Sequence, residues 1–368
     1  MKIAFIKRNF SYHGGAERYL ATLINSLKKK KCEIHIYSNN WIKNEEIVFH
    51  KVPILQFGSF LKAYTFNRNL KKVNLKDFDC VISFERTTSQ HIYRAGEGCH
   101  IRWLELRSKI EPMFKRISLK INPLHRYYLK VEKEIFEKTP IIIANSSMVK
   151  NEIINYYGVS PEKITVIYNG VDVEKFSPKN RKKQDYFKQK FNLPHKSRIL
   201  LFVGSGFKRK GVDTLLKVLA ILKDKEIFLI VIGKGDIKQY LKICKNLGIE
   251  KKVLFLGIRK DIENFYALAD LFILPTIYDP FSNATLEAMA TGLPVITTKN
   301  NGASELIEEG KEGFSLEDPF NHLELADKIN LALKDVERMG DFSRKKAEQF
   351  PIERATEEFM ECIKRFLS

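Results

Sequence analysis

The chain has 368 residues, is 44% hydrophobic and carries a formal charge of +19. That length exceeds one ordinary core and suits two domains, and the composition is that of a globular chain, not a disordered or fibrous one. No apolar run reaches the ~18 residues that a membrane-crossing helix needs. The five cysteines are dispersed with no C-x-x-C pair, which points to reduced thiols and away from a disulfide frame or a zinc site. The opening residues, MKIAFIKRNF, hold only a strand-length apolar run before Lys7 and Arg8, so a secretory signal is not expected and a cytoplasmic chain is. The excess charge is mostly lysine; it fits either plain solubility or an anionic partner such as nucleic acid, an acidic membrane surface or a phosphorylated small molecule.

Taken in chain order, KIAFI at residues 2–6 predicts a short strand, followed by the glycine-containing loop KRNFSYHGGAER. A helix is expected next, with Leu20, Leu23, Ile24 and Leu27 on one face. CEIHIYS, CVISF (80–84) and PIIIANS (140–146) read as further strands, and residues 101–138 as mainly helix. The segment VIYNGVDVEKFSPKN (166–180) interrupts the pattern with Asn-Gly and Ser-Pro and predicts a hinge. Beyond it, ILLFVGS (199–205) is a buried strand, and Leu215, Leu216, Leu219 and Leu222 mark the inner face of a helix. IFLIVIGKG, KVLFLGI, LFILPT and PVITT continue the alternation. Strands that are apolar throughout, alternating with helices, belong to parallel sheets covered on both faces. The expected fold class is therefore α/β, with two doubly wound domains and ligands at the carboxyl ends of their strands.

Three loops lie between a strand and a helix, where free amides and the helix dipole favour anions. The first contains Gly14 and Gly15. The second, GSGFKRKG (204–211), offers Ser205 and Gly206 in the turn and Lys208, Arg209 and Lys210 as cations beside it. It matches neither a Walker loop nor G-x-G-x-x-G, yet an arginine fork and lysine point charges suit a diphosphate. The third, IYDPFSNATLEAMATG, sets Asp279 at a strand exit and Glu287 inside the following helix. Between them, Phe281, Ser282, Asn283, Ala284 and Thr285 form a small-residue helix start whose amides suit a phosphate. Two carboxylates flanking a phosphate cradle fit a sugar nucleotide, each accepting hydrogen bonds from adjacent hydroxyls. The plainer alternative makes Asp279 a helix cap and Glu287 a surface charge.

GGAERYL, IIANSSMVKNEI, VIYNGVDVEKF, FVGSGFKRKGVDTLL and DPFSNATLEAMATGLPVI appear in that order across nearly the whole chain. Together they resemble the family 4 retaining glycosyltransferases of the GT-B fold. The resemblance implies two facing Rossmann-like domains with the active site in the cleft between them: residues 1–170 binding the acceptor, residues 171–350 binding the nucleotide sugar, and residues 351–368 a helix packing back toward the first domain. It implies Gly14 and Gly15 near the donor phosphates, Arg209 and Lys210 neutralising the leaving diphosphate, Asp279 orienting the donor sugar and Glu287 binding the ribose. The family pattern at the last motif is Glu-x7-Glu, so Asp279 keeps the spacing with a side chain one methylene shorter, and Pro280 stands where glycine is usual. The segment 79–107, with His100 after YRAGEGC, is most similar to lipopolysaccharide core glucosyltransferases and implies contact between His100 and the donor sugar. UDP-glucose or a similar donor, a lipid-linked glycan acceptor, retention of configuration and no metal cofactor follow as expectations; another envelope or capsular polysaccharide remains the alternative pathway.

Between Ile101 and Lys138 ten Lys or Arg face five Glu, interleaved with Trp103, Met113, Phe114, Ile117, Leu119, Ile121, Tyr127 and Tyr128. Basic and apolar residues mixed in this way suit either an anionic leaflet or an ordinary amphipathic helical pair packed on the first domain. The resemblance implies the first, at the cytoplasmic face of the inner membrane, with Glu17, Arg102, Trp103, Lys115 and Arg116 as the candidates for acceptor or membrane contact. A nucleic-acid partner is suggested by charge alone and finds no supporting motif. A dinucleotide-dependent oxidoreductase would need G-x-G-x-x-G after the first strand, which is missing.

Overall fold

A computed structural model describes residues 1–9, 15–40, 47–222 and 226–368, the side chains of residues 15–18, 75, 182 and 183 excepted. The chain divides into two compact units: residues 1–169 with 352–368, and residues 170–351.

In unit 1 the elements run β1 (Lys2–Ile6), α1 (Gly15–Lys29), β2 (Glu33–Ser38), β3 (Val48–Lys51), α2 (Ser59–Leu70), β4 (Cys80–Ser83), β5 (Ile92–Arg94), α3 (His100–Ile110), α4 (Met113–Ile121), α5 (Pro123–Lys138), β6 (Ile141–Ala144), α6 (Ser147–Tyr157) and β7 (Ile164–Val166). All seven strands pair in parallel, in the order β3-β2-β1-β4-β5-β6-β7. Alternate residues of β1 serve opposite faces, as the two-residue strand period requires. Ile3 and Phe5 join Leu20, Leu23, Ile24 and Leu27 of α1, while Ala4 and Ile6 join Phe66 and Leu70 of α2.

Unit 2 contains α7 (Gln184–Lys190), β8 (Arg198–Val203), α8 (Phe207–Lys210), α9 (Val212–Ile221), β9 (Ile227–Ile232), α10 (Ile237–Asn246), β10 (Val253–Gly257), α11 (Ile262–Leu268), β11 (Leu271–Leu274), α12 (Asn283–Ala290), β12 (Val295–Thr298), β13 (Gly313–Leu316), α13 (His322–Lys334) and α14 (Val336–Ala347). Its six parallel strands follow the order β10-β9-β8-β11-β12-β13. β11 and β12 are buried at every position, the pattern of strands covered from both sides. Leu215, Leu216 and Leu219 of α9 are buried as the apolar spacing requires; Leu222 is buried too, but as the residue that ends the helix.

The last helix, α15 (Ile352–Leu367), belongs to unit 1. Ala355, Phe359, Met360 and Ile363 recur at the helical period and share a core with α1 and with Ile3, Phe5, Cys80 and Ile82 of the sheet. Phe359 is fully buried and stacks on Phe84, with ring centroids 6.0 Å apart. Phe359→Ala is therefore expected to destabilise unit 1 by about 3–5 kcal/mol. Hydrogen exchange should show the loss of protection in β1, β4 and α1 and not in β8 to β13.

Candidate active site

The strand order of unit 2 reverses between β8 and β11, and in doubly wound sheets ligands bind at the carboxyl ends of the two strands that flank such a reversal. The basic and the acidic loops leave these two strands. After β8 the chain closes one helical turn, α8, between Gly206 at φ 80° and Gly211 at φ 84°. A side chain at Gly211 would meet the Pro275 carbonyl oxygen at 2.2 Å, so this left-handed position is reserved for glycine on two counts. The sequence placed Lys208, Arg209 and Lys210 ahead of a helix; they lie inside this short turn instead. The difference matters, because the turn aims Lys210 inward while Lys208 stays exposed.

The loop after β11 is laced to α8. Ile277 N donates to the Arg209 carbonyl at 2.9 Å, Thr276 Oγ1 donates to the same oxygen at 3.2 Å, and Arg209 Nη1 donates to the Tyr278 carbonyl at 2.6 Å. These bonds bring the Lys210 ammonium directly against the Asp279 carboxylate. Both side chains are about nine-tenths buried, at 11% and 10% exposure. Burial, with Arg209 alongside, works to lower the Lys210 ammonium, and the Asp279 carboxylate in direct contact with it works to keep it charged. Burial also lowers the Arg209 guanidinium. The backbone of Asp279 is pinned as well, with Asp279 N donating to Asn300 O and Gly302 N to Asp279 O, both at 2.9 Å.

Asp279 caps no helix: Ser282 is the N-cap of α12, its hydroxyl accepting from Thr285 N at 3.3 Å. Nor is Glu287 a surface charge. It is 6% exposed and accepts a 2.9 Å hydrogen bond from the Tyr266 hydroxyl. The plainer alternative fails at both carboxylates. Ser282 to Thr285 do form the first turn of α12, but two of their amides are committed within the chain. Ser282 N donates to Asn301 Oδ1 at 3.1 Å, and Thr285 N is held by the Ser282 side chain. Phe281 is buried beside them; Ser205 and Gly206 are exposed at the mouth of α8.

Two residues that the sequence did not single out organise this site. Asn301, fully buried, accepts from Ser282 N and Ala303 N and donates to Thr285 Oγ1 and Thr297 Oγ1, at 2.9–3.3 Å. Tyr266, also fully buried, orients Glu287. The Asn-Asn-Gly turn after PVITT was the available signal for Asn301; Tyr266 looked like an ordinary core aromatic.

In unit 1, His100 opens α3. Its amide donates to both carboxylate oxygens of Glu132, at 3.0 and 2.9 Å, and its ring Nε2 lies 3.0 Å from His125 Nδ1. Burial, then Arg86 and His125, pushes the His100 imidazole down to about 3, so at neutral pH it serves as an uncharged hydrogen-bonding group. Glu132 is fully buried and also accepts from Arg86 Nε at 2.7 Å and from the Tyr157 hydroxyl at 2.7 Å. Arg102 pairs with Glu152 and Glu105, and Trp103 is half-buried beside it. On α4, Lys115 pairs with Glu111, and Arg116 donates to the Glu111 carbonyl at 2.7 Å. Gly14 lies outside the described residues, as does the side chain of Glu17; Gly15 is the first residue of α1. Among the described residues no group of three or more His, Cys, Asp or Glu could hold a metal ion, and no helix is long and apolar enough to cross a membrane.

Residues 13–175 match the model of the family 4 glycosyltransferases, and residues 183–349 match that of the glycosyl transferases group 1. The lipopolysaccharide glucosyltransferase WaaG of Escherichia coli K12 is 24% identical over 347 residues, covering 90% of each chain. The crystal structure of WaaG, described as a glycosyltransferase involved in lipopolysaccharide biosynthesis, superposes with a TM-score of 0.85 at 21% identity, over 98% of this chain and 99% of that one. Anabaena HepE, solved with UDP-glucose, gives a TM-score of 0.76 at 20% identity, over 99% of this chain and all of that one.

Lys210→Ala would leave Asp279 buried without its counter-ion and should destabilise the chain by about 3–5 kcal/mol. Lys210→Ala with Asp279→Ala should recover most of that loss in urea unfolding. His100 carries a proton in the unfolded chain below about pH 6.5 but not in the folded one until about 3. Its contribution is therefore complete above pH 6.5 and declines as pH falls toward 3, with a slope of up to about 1.4 kcal/mol per pH unit. Unfolding free energies of His100→Asn should fall less steeply than wild type from pH 6.5 to pH 4.

Proposed function

We propose, for a chain that belongs to the family 4 glycosyltransferases of the GT-B fold, that it moves a hexose from a nucleoside-diphosphate sugar, UDP-glucose or a close analogue, to a hydroxyl of a lipid-linked glycan of the lipopolysaccharide inner core. The observation that carries this reading is the buried Lys210–Asp279 pair at the β8/β11 reversal, with the start of α12 and the buried Glu287 following Asp279 in the chain. The donor diphosphate takes Lys210 and Arg209 as its cations, and the α12 dipole adds to them. As the phosphate engages Lys210, the carboxylate of Asp279 turns to the hydroxyls of the hexose. Glu287, steadied by Tyr266, accepts from the ribose.

Cleavage of the anomeric C–O bond builds positive charge on the sugar ring and negative charge on the diphosphate. Fixed cations stabilise the second charge more in the transition state than in the ground state, and this difference accelerates the reaction. No metal is required in this reading, because Lys210 and Arg209 supply the positive charge. Configuration is retained, with the departing diphosphate accepting the proton of the acceptor hydroxyl. The reading gives unit 1 the acceptor and the cytoplasmic face of the inner membrane. Support for the membrane comes from α4, where Met113, Phe114, Ile117 and Ile121 are 77%, 69%, 57% and 68% exposed while only Leu119 turns inward. Lys115, Arg116 and Lys120 stand among them, which is the composition of an interfacial helix on an anionic leaflet.

UDP-glucose at 100 times its dissociation constant should stabilise the chain by about 2.7 kcal/mol. Glu287→Ala should abolish that shift, and failure of UDP-, GDP- and ADP-sugars alike to move the melting transition would overturn the donor assignment. Lys210→Ala should lower kcat by a factor corresponding to about 2–4 kcal/mol. Co-sedimentation with phosphatidylglycerol vesicles should weaken at least about tenfold in Phe114→Ser/Ile117→Ser, given the apolar area removed, and should weaken with added salt. Binding indifferent to both would sink the membrane assignment.

A further inference from the structure

Unit 1 has its own reversal of strand order, between β1 and β4, and a second charged cluster sits at the carboxyl ends of those strands. Lys7 and Arg8 follow β1, Glu85 and Arg86 follow β4, and Glu97 follows β5. Lys7 Nζ lies 3.7 Å from Glu85 and 3.8 Å from Glu97; Arg8 Nη2 lies 3.6 Å from Glu85; Arg86 bonds Glu97 on one side and Glu132 on the other. Three cations thus meet three carboxylates, and the cluster carries no net charge.

Exposure separates the frame from the groups that can meet a ligand. The side chains of Lys7, Glu85, Arg86 and Glu132 are 0–9% exposed, whereas Arg8 is 23% and Glu97 45% exposed. Tyr128, half-buried, lies under the Arg86 guanidinium at 5.1 Å from its ring centroid. Among the described residues, the accessible surface therefore offers a carboxylate, a guanidinium and the part of the Tyr128 ring that Arg86 leaves uncovered. A carboxylate accepts from adjacent hydroxyls, a guanidinium donates to ring and hydroxyl oxygens, and an aromatic face packs on the C–H side of a sugar.

We propose that Arg8, Glu97 and Tyr128, backed by Lys7, Glu85 and Arg86, form a binding site for a neutral sugar ring, and that the acceptor glycan is held through an unphosphorylated residue. The assignment rests on the transferase reading above. Among the described residues a phosphoryl group finds no uncompensated cation here, since each of the three faces a carboxylate, and it would lie against Glu97. Burial acts to raise the Glu97 carboxyl, but Arg86, Lys7 and Arg8 outweigh it and hold it at about 2. Glu97 thus stays ionised at working pH and binds the acceptor without taking its proton.

The test uses the full chain with UDP-glucose, methyl glycosides of glucose, galactose and heptose, and the 6- or 7-phosphates of the same sugars. Saturation-transfer NMR of each glycoside alone, which needs no donor, should show contact for at least one neutral glycoside and none for its phosphate. The same neutral glycoside should raise UDP release above hydrolysis and appear as a glycosylated product by mass spectrometry. Glu97→Gln should raise the KM for that glycoside about tenfold, the loss of a charge-assisted hydrogen bond, with the KM for UDP-glucose and the pH profile of kcat unchanged. Glu97→Asp should restore part of the affinity. Preference for a phosphorylated sugar, or a Glu97→Gln effect on the donor KM alone, would overturn the proposal. So would UDP-glucose binding with no contact from any neutral glycoside, which leaves the donor reading standing. Loss of UDP-glucose binding itself would instead strike the transferase reading, and this site with it.

Discussion

Two opposite charges, Lys210 and Asp279, are held together out of water at the reversal point of the second sheet. Taking each from solvent separately is unfavourable by several kcal/mol, and only close approach offsets it. The fold supplies that closeness through the backbone: α8 hands its Arg209 carbonyl to the loop after β11, and residues 300–302 grip Asp279 from the other side. Everything proposed for this site follows from the pair. A diphosphate is a better partner for Lys210 than one carboxylate, and a freed carboxylate needs hydroxyls. A donor carrying both phosphate and sugar meets the two needs at once.

The two units solve the same physical problem with different charge. Each places ionisable side chains at the carboxyl ends of the strands flanking a reversal. In unit 2, Arg209 and Lys210 stand against Asp279, leaving the guanidinium of Arg209 bound to a carbonyl and not to an acid. In unit 1 the cations and carboxylates match one for one. In the proposed function the first arrangement receives the anionic donor and the second, which is neutral, receives the glycan acceptor.

Much of this was legible in the sequence, for reasons that are local. Leu20, Leu23, Ile24 and Leu27 are buried because a helix with that spacing has one apolar face. The spacing of Asp279 and Glu287 around a small-residue turn pointed to a phosphate-sized site; in the fold Asp279 precedes α12 and Glu287 lies within it, and both are buried. What stayed hidden was pairing at a distance. Lys210 and Asp279 are 69 positions apart, and Arg86 and Glu132 are 46 apart; no periodicity connects them. Glu132 looked like one charge among many on a basic helix, yet it is fully buried beneath the start of α3. Asn301 and Tyr266 were missed because their roles lie in the bonds they make to other loops, and the type of a residue does not announce its partners.

The position of α15 bears on how the protein is made. Residues 352–368 complete the core of unit 1, while residues 170–351 build unit 2 in between. A chain emerging from the ribosome therefore presents the apolar face of α1 and the flank of β4 long before their cover exists, and unit 2 is able to close first. Nascent unit 1 must wait, with Phe84 and its neighbours open to water or to a chaperone, until residues 352–368 have emerged. Loss of α15 would then strand a unit whose other elements were synthesised long before it.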